Sequence, residues 1–144
     1  MVVEHSVEID RPFDEVWAIF NEPALQPEWL DMMKSFKQVK GKRNAEGAVQ
    51  SVVFTRDSGD TELTVTVLKN DGAGHIVTRY EGMQLPFVLT STFSAAGDDS
   101  TQWHAEIEVK LSLLQKALAP ILSGAMRELA ENMGDDFKRF VESR

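Results

Sequence analysis

From Ser112 to Phe140, apolar residues recur at Leu114, Leu118, Ile121, Leu122, Ala125, Leu129, Met133, Phe137 and Phe140, the three-and-four spacing of one helical face. No other stretch is long and periodic enough to form a major helix, and a stripe of this length needs a large apolar partner. Most of the remaining chain reads as short alternating strands. One long helix laid across one curved antiparallel sheet is therefore the economical arrangement. A helix held against the concave side of a sheet leaves room between the two, so the expected product is a cup able to hold something apolar.

The helix should not be continuous. Ser112 and Gln115 have capping-box spacing at its start. Pro120 then lies inside the apolar pattern, where it removes a backbone hydrogen bond and clashes with the carbonyl four residues back. A kink or restart is expected between Lys116 and Pro120, with the straight section beyond it. Gly124 admits two readings: a close approach of sheet or ligand, or simple tolerance of glycine in a helix held by packing.

Upstream, Val3, His5, Val7 and Ile9 alternate with Glu4, Ser6, Glu8 and Asp10, giving a first strand with one apolar and one polar face. Asp10-Arg11-Pro12 then reads as a helix start, with Asp10 as cap, Pro12 in the first turn, and Asp14 and Glu15 complementing the helix dipole. Phe13, Val16, Trp17 and Phe20 form its buried stripe. A second short helix is expected from Ala24 to Met33, with Leu25, Trp29 and Met33 on one side. Lys34 to Arg43 holds five basic residues and no acid. A phosphate-binding patch would look like this, but so does an edge strand protected by lysine against strand addition, and the edge strand is the reading adopted. Five further strands follow near Ala48–Arg56, Thr61–Asn70, His75–Gly82, Phe87–Ala95 and Thr101–Leu111, joined by turn-forming stretches such as Asp57-Ser58-Gly59-Asp60 and Asn70-Asp71-Gly72.

Which side of each strand faces the helix follows from the charges, because an unpaired buried charge is costly. Glu106, Glu108 and Lys110 send Trp103, Ala105, Ile107, Val109 and Leu111 inward. Phe87, Leu89, Ser91 and Phe93 form the apolar side of the preceding strand. Arg79 and Glu81 turn Ile76, Thr78 and Tyr80 toward the helix. The expected inner wall is apolar with a few hydroxyls.

At 144 residues the chain suits a single domain spanning 1–144, which should bury roughly 70% of the surface exposed by its unfolded chain. The absence of cysteine removes disulfides and thiolate chemistry together and is compatible with a reducing cytoplasm, the expected location. No apolar run approaches a membrane span, and Val2-Val3-Glu4-His5-Ser6-Val7 opens the chain without the basic and apolar regions of a signal peptide. Stable membrane insertion and export are not expected. A formal net charge of -8 argues against non-specific binding to nucleic acid or anionic lipid.

The element order, together with His5-Ser6-Val7-Glu8-Ile9-Asp10-Arg11-Pro12-Phe13-Asp14-Glu15-Val16-Trp17, Trp29 and Phe137-Lys138-Arg139-Phe140-Val141-Glu142, resembles the helix-grip fold of the START and birch-pollen-allergen-like (SRPBCC) superfamily. Within it, the opening is similar to polyketide cyclase/dehydrase-type proteins. The resemblance implies an α+β fold in which a seven-stranded curved antiparallel sheet wraps around a long C-terminal helix, with two short helices after strand 1. It also implies a cavity under that helix for lipids, polyketides or other apolar small molecules, with only some members catalytic.

Three function classes follow. The first is binding of an apolar small molecule in a cavity formed by Trp29, Thr78, Tyr80, Phe87, Leu89, Ser91, Phe93, Trp103, Ala105, Ile107, Leu122, Met126 and Leu129, with Met83 and Leu85 as a lid over its mouth. This needs only a concave apolar pocket with a few placed polar groups. The second is cyclase or dehydratase chemistry, for which a proton donor or acceptor must project inward. His5 and Tyr80 are the candidates, and Thr78 and Ser91 could orient a carbonyl. The third is protein binding of the Hsp90-activator type, although those relatives carry a tryptophan near the end of the long helix where this chain has Phe137 and Phe140. No cofactor is expected. The three histidines, 5, 75 and 104, share no metal-ligand spacing, and neither a Gly-x-Ser-x-Gly elbow nor a nucleotide-binding loop occurs.

Overall fold

Alternating patterning produces seven strands: β1 (Val2–Ile9), β2 (Met33–Lys40), β3 (Val49–Arg56), β4 (Gly59–Asn70), β5 (His75–Glu81), β6 (Phe87–Gly97) and β7 (Ser100–Glu108). The computed structural model describes residues 1–82 and 85–144. All seven strands join one antiparallel sheet in the order β1-β7-β6-β5-β4-β3-β2. The lysine-rich strand β2 lies at an edge, as its composition predicts. The helical elements are α1 (Phe13–Phe20), a 3-10 turn (Pro23–Leu25), α2 (Gln26–Trp29), α3 (Leu113–Lys116) and α4 (Ala119–Glu142). This is the α+β helix-grip arrangement.

The inward set is the expected one. Ile76 and Tyr80 on β5, Phe87, Leu89, Ser91 and Phe93 on β6, and Trp103, Ala105, Ile107 and Val109 beyond them are buried, while Thr78 is half-buried. Two local expectations change. Asp10 does not cap α1, because Pro12 is held in an extended conformation and the helix begins only at Phe13. The Asp10 backbone N–H instead donates to Glu142 Oε2 at 2.8 Å. The second helix is also shorter than Ala24–Met33: Pro27 has no N–H to donate to Pro23, so a 3-10 turn and a single α-helical turn replace it, and Met33 starts β2.

Helix α4 is anchored at its C-terminal end. Met126, Leu129, Ala130, Met133, Gly134, Phe137 and Val141 are its buried residues, and it packs mainly on β1 and β7. Phe137 meets a ring cluster drawn from four other elements: its centroid lies 5.4 Å from Phe20, 4.9 Å from Trp29, 6.1 Å from Phe93 and 5.4 Å from Trp103. Gly134 is the point of closest approach, where an added Cβ would stand 3.1 Å from the His5 ring. A Cβ added at Gly124, by contrast, would meet no other part of the described residues within 4 Å, so a close approach of the sheet does not explain that glycine. The last turn is clamped as well: Lys138 Nζ donates to Glu142 Oε2 and to Glu8 O, both at 2.6 Å, and Arg11 Nη2 donates to Glu142 O at 2.6 Å.

Its N-terminal end is not anchored in this way. Ser112 and Gln115 form the reciprocal capping box, α3 ends after one turn, and α4 restarts with Pro120 in its first turn, so the expected break is present. Leu114, Leu118 and Ile121, which the periodicity assigns to the buried stripe, are exposed. The apolar pattern runs on past the point where the sheet can cover it.

Candidate ligand-binding site

Because the ring cluster and the Glu142 clamp hold only one end of α4, a cleft opens beneath the other. It has a volume of about 760 Å³, within the usual range for small-molecule sites. Met32, Leu85, Leu118, Leu122, Met126 and Leu129 line it with apolar surface. Arg56, Thr61, Gln115, Glu128 and Asn132 supply polar groups. Gly82 also lines it, with φ of 111° and its Cα so close to β4 that a Cβ would come within 2.8 Å of Glu62 O. That position requires glycine both for its dihedral and for space.

The expected site residues divide between this cleft and the closed interior. Leu122, Met126 and Leu129 line the cleft, as does Leu85. Met83, the other expected lid residue, lies outside the described residues. Trp29, Tyr80, Phe87, Leu89, Ser91, Phe93, Trp103, Ala105 and Ile107 are buried within the packed interior and are not among the cleft-lining residues. Trp103 is 1% and Ala105 3% exposed, values that leave no room for a ligand at those atoms as packed. Phe93 and Trp103 stack at 5.4 Å, and Tyr80 and Phe87 stack at 4.7 Å with 10° between planes. Thr78, half-buried, also lies away from the cleft and directs its hydroxyl toward Leu89 O at 3.5 Å. The Ser91 hydroxyl and the indole N–H groups of Trp29 and Trp103 are buried without partners among the described residues, a cost carried by the inner wall.

The two acid/base candidates are not brought together. His5 pairs with Ala105, which pairs with Ser91, which pairs with Ile76; Tyr80 lies four residues further along β5. Three strand spacings and four residues of rise place them about 14 Å apart across the sheet and about 13 Å along it. His5 packs under α4 against Gly134, its Nε2 3.9 Å from Asp135 Oδ1. Burial pushes the Tyr80 phenol up to about 12, with the Thr78 hydroxyl opposing the shift. A phenol so far from neutral pH is a poor proton donor or acceptor.

The sequence expectation sets Leu122, Met126 and Leu129 of the helix against the centre of the sheet and does not include Met32, Arg56 and Thr61, which come from the loop before β2 and the hairpin end of β3 and β4. Their signal was weak: an arginine at the end of an otherwise apolar strand, next to a turn. On the outer face, His104 joins Ser6 and Glu4 through bonds of 2.7 Å and 3.2 Å, consistent with its outward alternation. Among the described residues, no cluster of His, Asp and Glu is arranged to hold a metal ion, and no helix is long and apolar enough to cross a membrane.

The helix-grip fold itself is shared with a range of solved structures. A START superfamily protein from Mycobacterium smegmatis superposes with a TM-score of 0.83 at 16% identity, covering 99% of this chain and 97% of the other. An aromatase/cyclase from a Streptomyces species superposes at 0.80 with 11% identity, covering 100% and 94%. Norcoclaurine synthase from Thalictrum flavum, solved with dopamine and hydroxybenzaldehyde, superposes at 0.75 with 16% identity, covering 100% and 87%. At these identities the likeness establishes the fold. No protein of curated function matches the sequence. The family described as "Polyketide cyclase / dehydrase and lipid transport" matches residues 1–139, and the chain belongs to it.

Proposed function

We propose that the protein binds an apolar or amphipathic small molecule in the cleft beneath the first turns of α4, and that it holds the compound rather than converting it. The observation that carries this reading is the cleft itself: apolar side chains of the partly detached helix facing Met32 and Leu85, with polar groups of Arg56, Thr61 and Asn132 in its wall to orient a headgroup or carbonyl. The family description supports it, since lipid transport is among the activities it names. Cyclase chemistry finds less support. Neither His5 nor Tyr80 reaches the cleft, and among its polar lining residues Glu128 is the one carboxyl group and no histidine is present.

The test is uptake of an apolar fluorescent probe, with competition by fatty acids and aromatic polyketides. Wild type should bind the probe saturably. Leu122→Asn, at a half-buried cleft position, should weaken uptake about tenfold or more while leaving the unfolding midpoint nearly unchanged. Absence of saturable uptake by wild type, or equal uptake by the variant, would overturn the assignment.

A further inference from the structure

Leu113 is 85%, Leu114 88%, Leu118 51% and Ile121 72% exposed, so four large aliphatic side chains stand in solvent within nine residues. They are not on a frayed end. The Ser112–Gln115 capping box fixes α3, and the Leu118 N–H to Gln115 O bond of 2.9 Å ties α3 to the start of α4. An ordered apolar platform of this kind marks an interaction surface.

The charge around it is equally uneven. Between Glu108 and Glu128 the chain carries Lys110, Lys116 and Arg127 and no acid, in a protein whose formal net charge is -8. All three cations are exposed and make no ion pair among the described residues. The platform also adjoins the cleft directly, because Gln115 and Leu118 belong to both.

We propose that the α3–α4 overhang docks on an anionic lipid bilayer, seating the mouth of the cleft on the membrane so that an apolar ligand passes between bilayer and cleft without crossing water. The part concerning ligand transfer rests on the binding function proposed above; the docking itself does not. Leucines flanked by basic residues and free of acids are the composition of a peripheral, interfacial contact. The acidic remainder of the protein does not prevent it, since exposed charges are screened over about 8 Å at physiological salt and the basic segment is the part that touches. A second copy of the chain fits less well, because a two-fold contact through this patch would set the same acid-free basic segment of both copies against each other.

Co-sedimentation of the full chain with vesicles tests the proposal. Wild type should bind phosphatidylglycerol/phosphatidylcholine vesicles and bind pure phosphatidylcholine much less, with binding falling at about 1 M salt, where the screening length shortens to about 3 Å. Leu113→Ser with Leu114→Ser should lower partitioning about tenfold or more, and Lys116→Gln about fivefold. None of these residues lines the cleft, so the variants should keep wild-type stability and probe uptake in free solution. The proposal fails if wild type stays in the supernatant with anionic vesicles at low salt, or if the double serine variant sediments as well as wild type. It also fails if wild type is a dimer that the serine changes dissolve, which would make the patch a self-interface. Vesicle binding without probe uptake would leave docking standing and remove the ligand-binding function; probe uptake without vesicle binding would do the reverse.

Discussion

Ala105→Trp distinguishes a site in the cleft from a site against the centre of the sheet. Ala105 lies on the inner face of β7 between Trp103 and Ile107, opposite His5 on β1 and Ser91 on β6. It is 3% exposed, and its neighbour Trp103 is already closed in by Phe93 and Phe137, each with its centroid 5.4 Å away. An indole placed there must displace packed side chains. Overpacking typically costs about 1–3 kcal/mol, and a whole bicyclic ring belongs at the top of that range. With a urea slope of about 2 kcal/mol/M, a loss of about 3 kcal/mol lowers the unfolding midpoint by about 1.5 M. A domain with about 5–15 kcal/mol of stability remains folded under that load. The surviving protein should still take up an apolar probe, because the cleft is elsewhere. Leu122→Trp is the matched control: its indole enters open space in the cleft, so the midpoint should move little while uptake is lost. Urea denaturation followed by circular dichroism, with probe titration of each monodisperse variant, reads both quantities. If Ala105→Trp keeps the wild-type midpoint and abolishes uptake, the ligand sits against the sheet and the interior around Trp103 is open rather than close-packed.

Two further predictions concern titrating groups. Burial pushes the Glu142 carboxyl up, but the hydrogen bonds from Lys138 and the Asp10 N–H, with the charges of Lys138 and Arg11, outweigh it and hold the group below its ordinary value of 4.5. A depressed carboxylate contributes stability that is fully present above that ordinary value and is lost as pH falls through the folded one, so Glu142→Gln should narrow the stability difference between neutral and acid pH in urea titrations. An unchanged acid response would mean that the Glu142 clamp does not hold α4. Tyr80 is the single tyrosine, so near-ultraviolet absorbance reports its ionisation directly; the phenolate should form near pH 12 rather than 10, and Tyr80→Phe should leave probe affinity within about twofold. A titration near 10 would mean that the phenol is not closed off from water, and a large loss of affinity would make Tyr80 a functional residue after all.

Much of the scaffold is determined by the sequence alone, because its signals are local. A period of two sorts each strand into faces, and the positions of Glu106, Glu108 and Arg79 identify the outward one without knowledge of the partner strands. Pro120 dictates a break wherever the helix ends up, and a lysine-rich strand suits only an edge. The tertiary structure decided the location of the cleft, for two reasons. Periodicity shows which face of a helix is apolar but not how far a partner extends along it, so Leu114 and Ile121 fit the stripe and yet stand in water. The interior beneath the other half of α4 is filled by Phe20, Trp29, Phe93, Trp103 and Phe137, rings from five elements scattered over 118 residues of chain, whose convergence is a property of the fold. Where those rings meet, the cup is solid; where they stop, the helix lifts from the sheet and the cleft begins.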